Sequence, residues 1–148
     1  MSTPGRPQAP VPEPLAGGGT PMSATILVAD DEPNIVLSLE FVLEDAGYRV
    51  RIARDGQEVL DALSAELPDL LLLDVMLPRL SGFDVCQRIR ANPAWRALRV
   101  VMLSAKGRDV EVTKGLALGA DAYVTKPFAI QDLLDEVARQ LGRAPQAG

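Results

Sequence analysis

A chain of 148 residues with 47% apolar and 24% charged side chains can close one hydrophobic core and is short for two. Its net charge of −5 argues against a nucleic-acid-binding face, and the lack of any histidine excludes an imidazole base, a Ser-His pair and a His-ligated zinc. A metal would have to be held by oxygen, which points to magnesium or calcium.

The single cysteine, Cys86, cannot form an internal disulfide, and its place in a helical pattern reads as a buried, inert thiol. No apolar run approaches the roughly 18 residues of a membrane span, and the N-terminus lacks the apolar core of a signal peptide. A cytoplasmic location is expected. Residues 1–22, rich in Pro and Gly, read as a disordered extension that cannot bury enough surface to offset its ordering entropy. Met22 offers an alternative start. The folded unit is expected over residues 23–142, with 143–148 a short tail.

Thr25–Ala29 reads as a buried strand that runs into Asp30, Asp31 and Glu32. Pro33 suits the first turn of a helix, on which Ile35, Val36, Leu39, Val42, Leu43 and Ala46 recur at helical spacing until Gly47. Tyr48–Ala53 alternates apolar and basic residues, the mark of an edge strand with one wetter face. Asp55-Gly56 opens a second helix with Val59, Leu60 and Leu63 inward, closed by Pro68.

Leu70–Leu73 is a run of four leucines, the pattern of a strand buried on both faces of a parallel sheet. Asp74 follows it directly. Ligands of open α/β sheets bind beyond the carboxyl ends of the strands, so Asp74 stands where chemistry would be, although by itself it reads equally as a strand end turned to water. A helix carrying Phe83, Val85, Cys86 and Ile89 ends at Asn92-Pro93, and Arg99–Leu103 is a fourth strand followed by Ser104. The next helix, Arg108–Leu118, is weakly specified: Val110, Val112 and Thr113 are β-branched and Gly115 is interior. Such a helix is either an element that shifts between states or one held by tertiary contacts. Ala122–Val124 is the fifth strand, with Lys126-Pro127 just past it, and Ile130–Leu141 is a last helix with Leu133, Leu134, Val137 and Leu141 on one face. Strands and helices alternate five times, which predicts a doubly wound α/β fold with a five-stranded parallel sheet.

In strand order 2-1-3-4-5 the first and third strands are neighbours at the switch point, so Asp30, Asp31 and Asp74 share one crevice. Three carboxylates so close repel one another unless a cation intervenes, and Mg2+ fits an all-oxygen donor set. Lys126 and Ser104 bring an ammonium and a hydroxyl suited to phosphoryl oxygens, and a carboxylate can accept a phosphoryl group.

The motifs VADDEP, LLLLDVMLP with SG after it, VMLSAK and GADAYVTKPF together resemble the receiver (CheY-like) domain of bacterial two-component response regulators, from Thr25 to Leu141. The resemblance implies that Asp74 takes a phosphoryl group from a phosphohistidine on a sensor histidine kinase or phosphotransfer protein. It also implies Mg2+ held by Asp31, Asp74 and the Met76 backbone carbonyl, with Asp30 acting mainly through water. Lys126 would pair with the phosphoryl group, the Lys126–Pro127 peptide would be cis, and Ser104 would swing toward the phosphoryl oxygen as Tyr123 turns inward. That coupling would move the face made by the fourth helix, fifth strand and fifth helix, where a downstream protein would bind, with the chain a monomer or a weak phosphorylation-linked dimer. Met76 and Lys106 occupy positions that tune phosphoryl loss in this family.

The chain is expected to be a single-domain regulator and no enzyme beyond accepting and losing its own phosphoryl group. Three rivals stand beside that reading. A haloacid-dehalogenase-like phosphohydrolase would carry a second acid where Met76 stands. An unphosphorylated adaptor usually lacks part of the acidic set or the lysine. A receiver cut from a longer regulator has the same motifs.

Overall fold

The computed structural model describes residues 24–105 and 109–142. The segments assigned above to 1–22 and 143–148, and Lys106, lie outside the described residues. The strands are β1 (Thr25–Ala29), β2 (Arg49–Ala53), β3 (Leu70–Asp74), β4 (Arg99–Ala105) and β5 (Ala122–Lys126). They alternate with α1 (Pro33–Asp45), α2 (Gly56–Ala65), α3 (Gly82–Ala91), α4 (Asp109–Ala117) and α5 (Ile130–Gln140). All strand pairs are parallel and the sheet order is β2-β1-β3-β4-β5, as expected from the alternation.

The four leucines of β3 explain how one strand builds two core layers, because successive strand residues point to opposite faces. Leu71 and Leu73 join Leu27, Val100 and Met102 beneath Val59 and Leu63 of α2 and Val85 and Ile89 of α3. Leu70 and Leu72 join Ile26, Val28, Val101 and Leu103 beneath Leu39 and Leu43 of α1 and Leu133 and Val137 of α5. Every residue of β3 is buried, while β2 at the edge is largely half-buried. Cys86 is a buried free thiol, and its loss of solvent pushes its pKa up, in keeping with an inert role.

Local signals place the helix starts. Asp55 caps α2 by accepting from the Glu58 N–H at 2.8 Å. Ser81 and Asp84 form a capping box at the start of α3, which fixes that helix just beyond the end of β3.

Four details differ from the sequence pattern. Tyr48 falls outside β2 and packs into the α1–α5 layer. Arg51, expected on a wet face, donates to the Glu66 and Ala62 carbonyls at 2.6 and 2.8 Å and so satisfies the C-terminal end of α2. A short 3-10 turn, Pro93–Trp95, follows α3. β4 and β5 each run two residues past their predicted ends, through Ser104↔Thr125 and Ala105↔Lys126 pairing, because the ladder continues after the apolar run has stopped.

At the other end of the sheet, Arg90 of α3 donates to the carbonyls of Gly119 (2.8 Å) and Leu98 (2.9 Å) and pairs with Asp121 (2.8 Å). Asp121 in turn accepts from the Val100 N–H at 2.7 Å. Among the described residues no helix is long and apolar enough to cross a membrane.

Candidate functional site

The crevice at the carboxyl ends of β1 and β3 collects the charged residues that the sequence pattern assigns there. Asp30 directly follows β1 and is fully buried, while Asp31 beside it is exposed. Asp74 ends β3 with 6% of its surface exposed. The β1–β3 register pairs Ala29 with Leu73, so the residues after this pair, Asp30 and Asp74, come side by side. Carboxylate oxygens of Asp30, Asp31 and Asp74 all lie within 4.8 Å of one another.

Lys126 ends β5 and reaches across the crevice. Its Nζ donates to Asp30 Oδ2 at 2.9 Å and lies 3.3 Å from Asp74 Oδ2. The sequence pattern gave this lysine a phosphoryl partner; its direct contacts with two carboxylates are what tertiary structure adds. Other ligands fix the two aspartates: Asp30 Oδ1 accepts from the Glu32 N–H at 3.0 Å, and Asp74 Oδ1 accepts from the Met76 N–H at 3.1 Å.

These surroundings oppose one another electrostatically. Burial pushes the Asp74 carboxyl above its ordinary value, and the Asp30 charge adds to this; the Met76 N–H and Lys126 pull it back without cancelling the rise. Burial alone would lower the Lys126 pKa. The hydrogen bond to Asp30 and the charges of Asp74 and Asp30 outweigh that loss, and the ammonium is held above its usual range. The crevice therefore holds three carboxylates against one ammonium, an excess of negative charge surrounded by oxygen donors alone. That set fits a hard divalent cation such as Mg2+.

Ser104, on β4, is buried with its hydroxyl donating to the Ala105 carbonyl at 3.5 Å, one strand away from Asp74. The Met76 side chain is 66% exposed at the mouth of the crevice. The Lys126–Pro127 peptide is cis, as expected.

Tyr123 of β5 has its hydroxyl oxygen shielded from solvent and its ring against α4. Tyr123 as a whole is half-buried. The residue that admits it is Gly115: a Cβ there would come within 2.8 Å of Tyr123 Cε2 and 2.9 Å of Met102 Sδ. Sequence reasoning saw Gly115 only as a weakness in α4. A glycine in a helix interior was the available signal, but what it approaches was not.

Comparison with known proteins agrees with this arrangement. Residues 26–138 match the family model of the response regulator receiver domain. The chain is similar to the alkaline phosphatase synthesis transcriptional regulatory protein PhoP of Bacillus subtilis, with 43% identity over 123 residues, covering 83% of this chain and 50% of PhoP. It thus spans half the length of that relative. A chain from Chloroflexus aurantiacus described as a response regulator superposes with a TM-score of 0.80 at 38% identity, over 82% of this chain and 100% of its own. The chemotaxis response regulator CheY4 of Vibrio cholerae gives a TM-score of 0.76 at 29% identity, over 80% and 99% of the two chains. Family match, sheet order and the acidic crevice agree, and the chain belongs to the receiver domain family of two-component response regulators.

Proposed function

We propose that this chain accepts a phosphoryl group on Asp74 from a histidine kinase or phosphotransfer protein and thereby switches the binding of a protein partner. The observation that carries this reading is the convergence of Asp30, Asp31, Asp74 and Lys126 in one crevice. An Asp74 Oδ forms the new bond to phosphorus as the phosphorus–nitrogen bond of the donor breaks, giving an acyl phosphate. Asp31, Asp74 and the Met76 carbonyl would hold Mg2+, with Asp30 acting mainly through water. When bound, the cation offsets charge on the transferring group and neutralises the carboxylates around it.

The remaining steps belong to the side chains. The Lys126 ammonium, already 3.3 Å from Asp74 Oδ2, exchanges part of its carboxylate pairing for a phosphoryl oxygen. Ser104 donates its hydroxyl to a second phosphoryl oxygen. Tyr123 couples that movement to the face of α4, β5 and α5, where the partner binds. Phosphorylation shifts an existing two-state equilibrium of this face.

The Chloroflexus chain and CheY4 are each spanned almost completely and PhoP by half. The mass of the protein isolated from its native source decides whether this receiver acts alone or within a longer regulator.

The first test is intact-protein mass after incubation with acetyl phosphate, with Mg2+, with chelator, and on Asp74→Asn. One acid-stable, base-labile phosphoryl group that needs both Mg2+ and Asp74 is expected. An adduct that survives in Asp74→Asn would overturn the assignment.

A further inference from the structure

Two adjacent residues of α4, the helix that propensity specifies least, make contacts with neighbouring elements. Lys114 Nζ stands 4.6 Å from the centroid of the Phe83 ring, within the range of a cation–π contact. Gly115, next to it, leaves the space that the Tyr123 ring and Met102 Sδ occupy. Phe83 is itself tied to the site. It follows Gly82 in the first turn of α3, and Gly82 packs on the phosphoacceptor's own backbone: its N–H donates to the Val75 carbonyl at 2.9 Å, and a Cβ there would collide with the Asp74 carbonyl oxygen. Phe83 and Tyr123 pack against the same core layer.

We propose that Lys114 and Gly115 are positioning residues for Tyr123, forming a latch that ties α4 to Phe83 of α3 and keeps the Tyr123 ring beneath the helix. The inference deepens the switch described above and rests on the reading of Tyr123 as part of its output face. It adds a mechanical link from Asp74 to Tyr123 through Gly82, Phe83 and Lys114, separate from the Ser104 route. An exposed cation–π contact weights an equilibrium by about two- to fivefold. That is enough to bias a helix between two positions and too little to lock it. Gly115 weakens the helix about four- to fivefold relative to alanine, and alanine cannot replace it while the Tyr123 ring stays where it is.

The latch is tested in the unphosphorylated full chain. The protein has two tyrosines, so ring-labelled tyrosine gives two sets of NMR signals, with Tyr48 in the other core layer as an internal control. In Lys114→Gln the Tyr123 signal is expected to move toward a solvent-exposed position while Tyr48 stays. Exchange of the amides of residues 113–117 should quicken about two- to fivefold. Lys114→Arg, which keeps the cation, should restore both. Phe83→Leu should match Lys114→Gln, and the double variant should add nothing further. Gly115→Ala should displace the Tyr123 ring alone. A Tyr123 signal indifferent to Lys114→Gln, a failure of arginine to restore it, or additive effects in the double variant would overturn the latch. Phosphoryl uptake at Asp74, read by mass on the wild type, tests the functional reading separately. A chain that takes up none overturns the functional reading and leaves the latch to stand on the NMR result.

Discussion

Gly82 sits so close to Asp74 that the first turn of α3 rests on the carbonyl of the proposed phosphoacceptor. A Cβ at Gly82 would collide with the Asp74 carbonyl oxygen and lie 2.9 Å from the Val75 Cα, both backbone atoms with no room to yield. Gly82→Ala is therefore expected to destabilise the fold by about 1–3 kcal/mol, as overpacking does. Displacing Asp74 should also slow labelling by acetyl phosphate by about 10- to 100-fold. Urea unfolding and the labelling rate measure the two effects; an unchanged rate would show that α3 does not position Asp74.

The titration of Asp74 sets a pH dependence. Burial and the Asp30 charge raise its folded pKa above 3.8, so the folded chain holds this proton more tightly than the unfolded one. Stability without metal then falls as pH rises from 3.8 through the folded value, and the full penalty is present above that value. Asp74→Asn should remove that penalty. Its melting temperature in chelator should exceed the wild type's at about pH 7, and the difference should shrink as pH falls toward about 4. Lys126 has the opposite role: its contribution is complete below 10.5 and is lost as pH climbs through its raised folded value. A wild type more stable than Asp74→Asn at neutral pH would contradict the assignment of causes.

Metal binding has its own signature. Mg2+ at about a hundred times its dissociation constant should stabilise the wild type by about 2.7 kcal/mol. Asp31 is the exposed member of the acidic cluster and makes no part of the core, so Asp31→Ala should keep the fold and lose most of the Mg2+ response. Thermal melts with Mg2+ and with chelator measure this. An equal response in the variant would remove Asp31 from the ligand set.

Far from the crevice, Arg90 joins α3 to the turn before β5. Arg90→Ala leaves the Gly119 and Leu98 carbonyls without their charged donor and Asp121 with Arg99, 3.6 Å away, as its remaining cation, so a loss of about 1–3 kcal/mol is expected. Denaturant unfolding should show the lower midpoint while phosphoryl uptake at Asp74 stays intact, since the cluster lies at the opposite end of the strands. A loss below about 0.5 kcal/mol would mean that water replaces these bonds.

Much of this protein was legible along the chain. The leucine run of β3, the alternation of strands with amphipathic helices, the Asp55-Gly56 helix start and the carboxylates at strand ends are all short-range features, and they led to the observed sheet order. The apolar pattern ends β4 and β5 short of Ser104 and Lys126 because hydrophobicity stops where polar site residues begin, although the ladder continues. Arg51 read as solvated because its target, the end of α2, lies 11 and 15 residues further along the chain.

The sequence by itself determined which elements form, in what order, and which residues come to the carboxyl edge of the sheet. Only the tertiary structure decided that Lys126 bridges Asp30, 96 residues away, and Asp74, and that Gly115 makes room for Tyr123. The physical reason is range. Periodicity and capping act over a few residues, whereas an ion pair or a close packing contact depends on where separate elements place their side chains after the sheet has assembled.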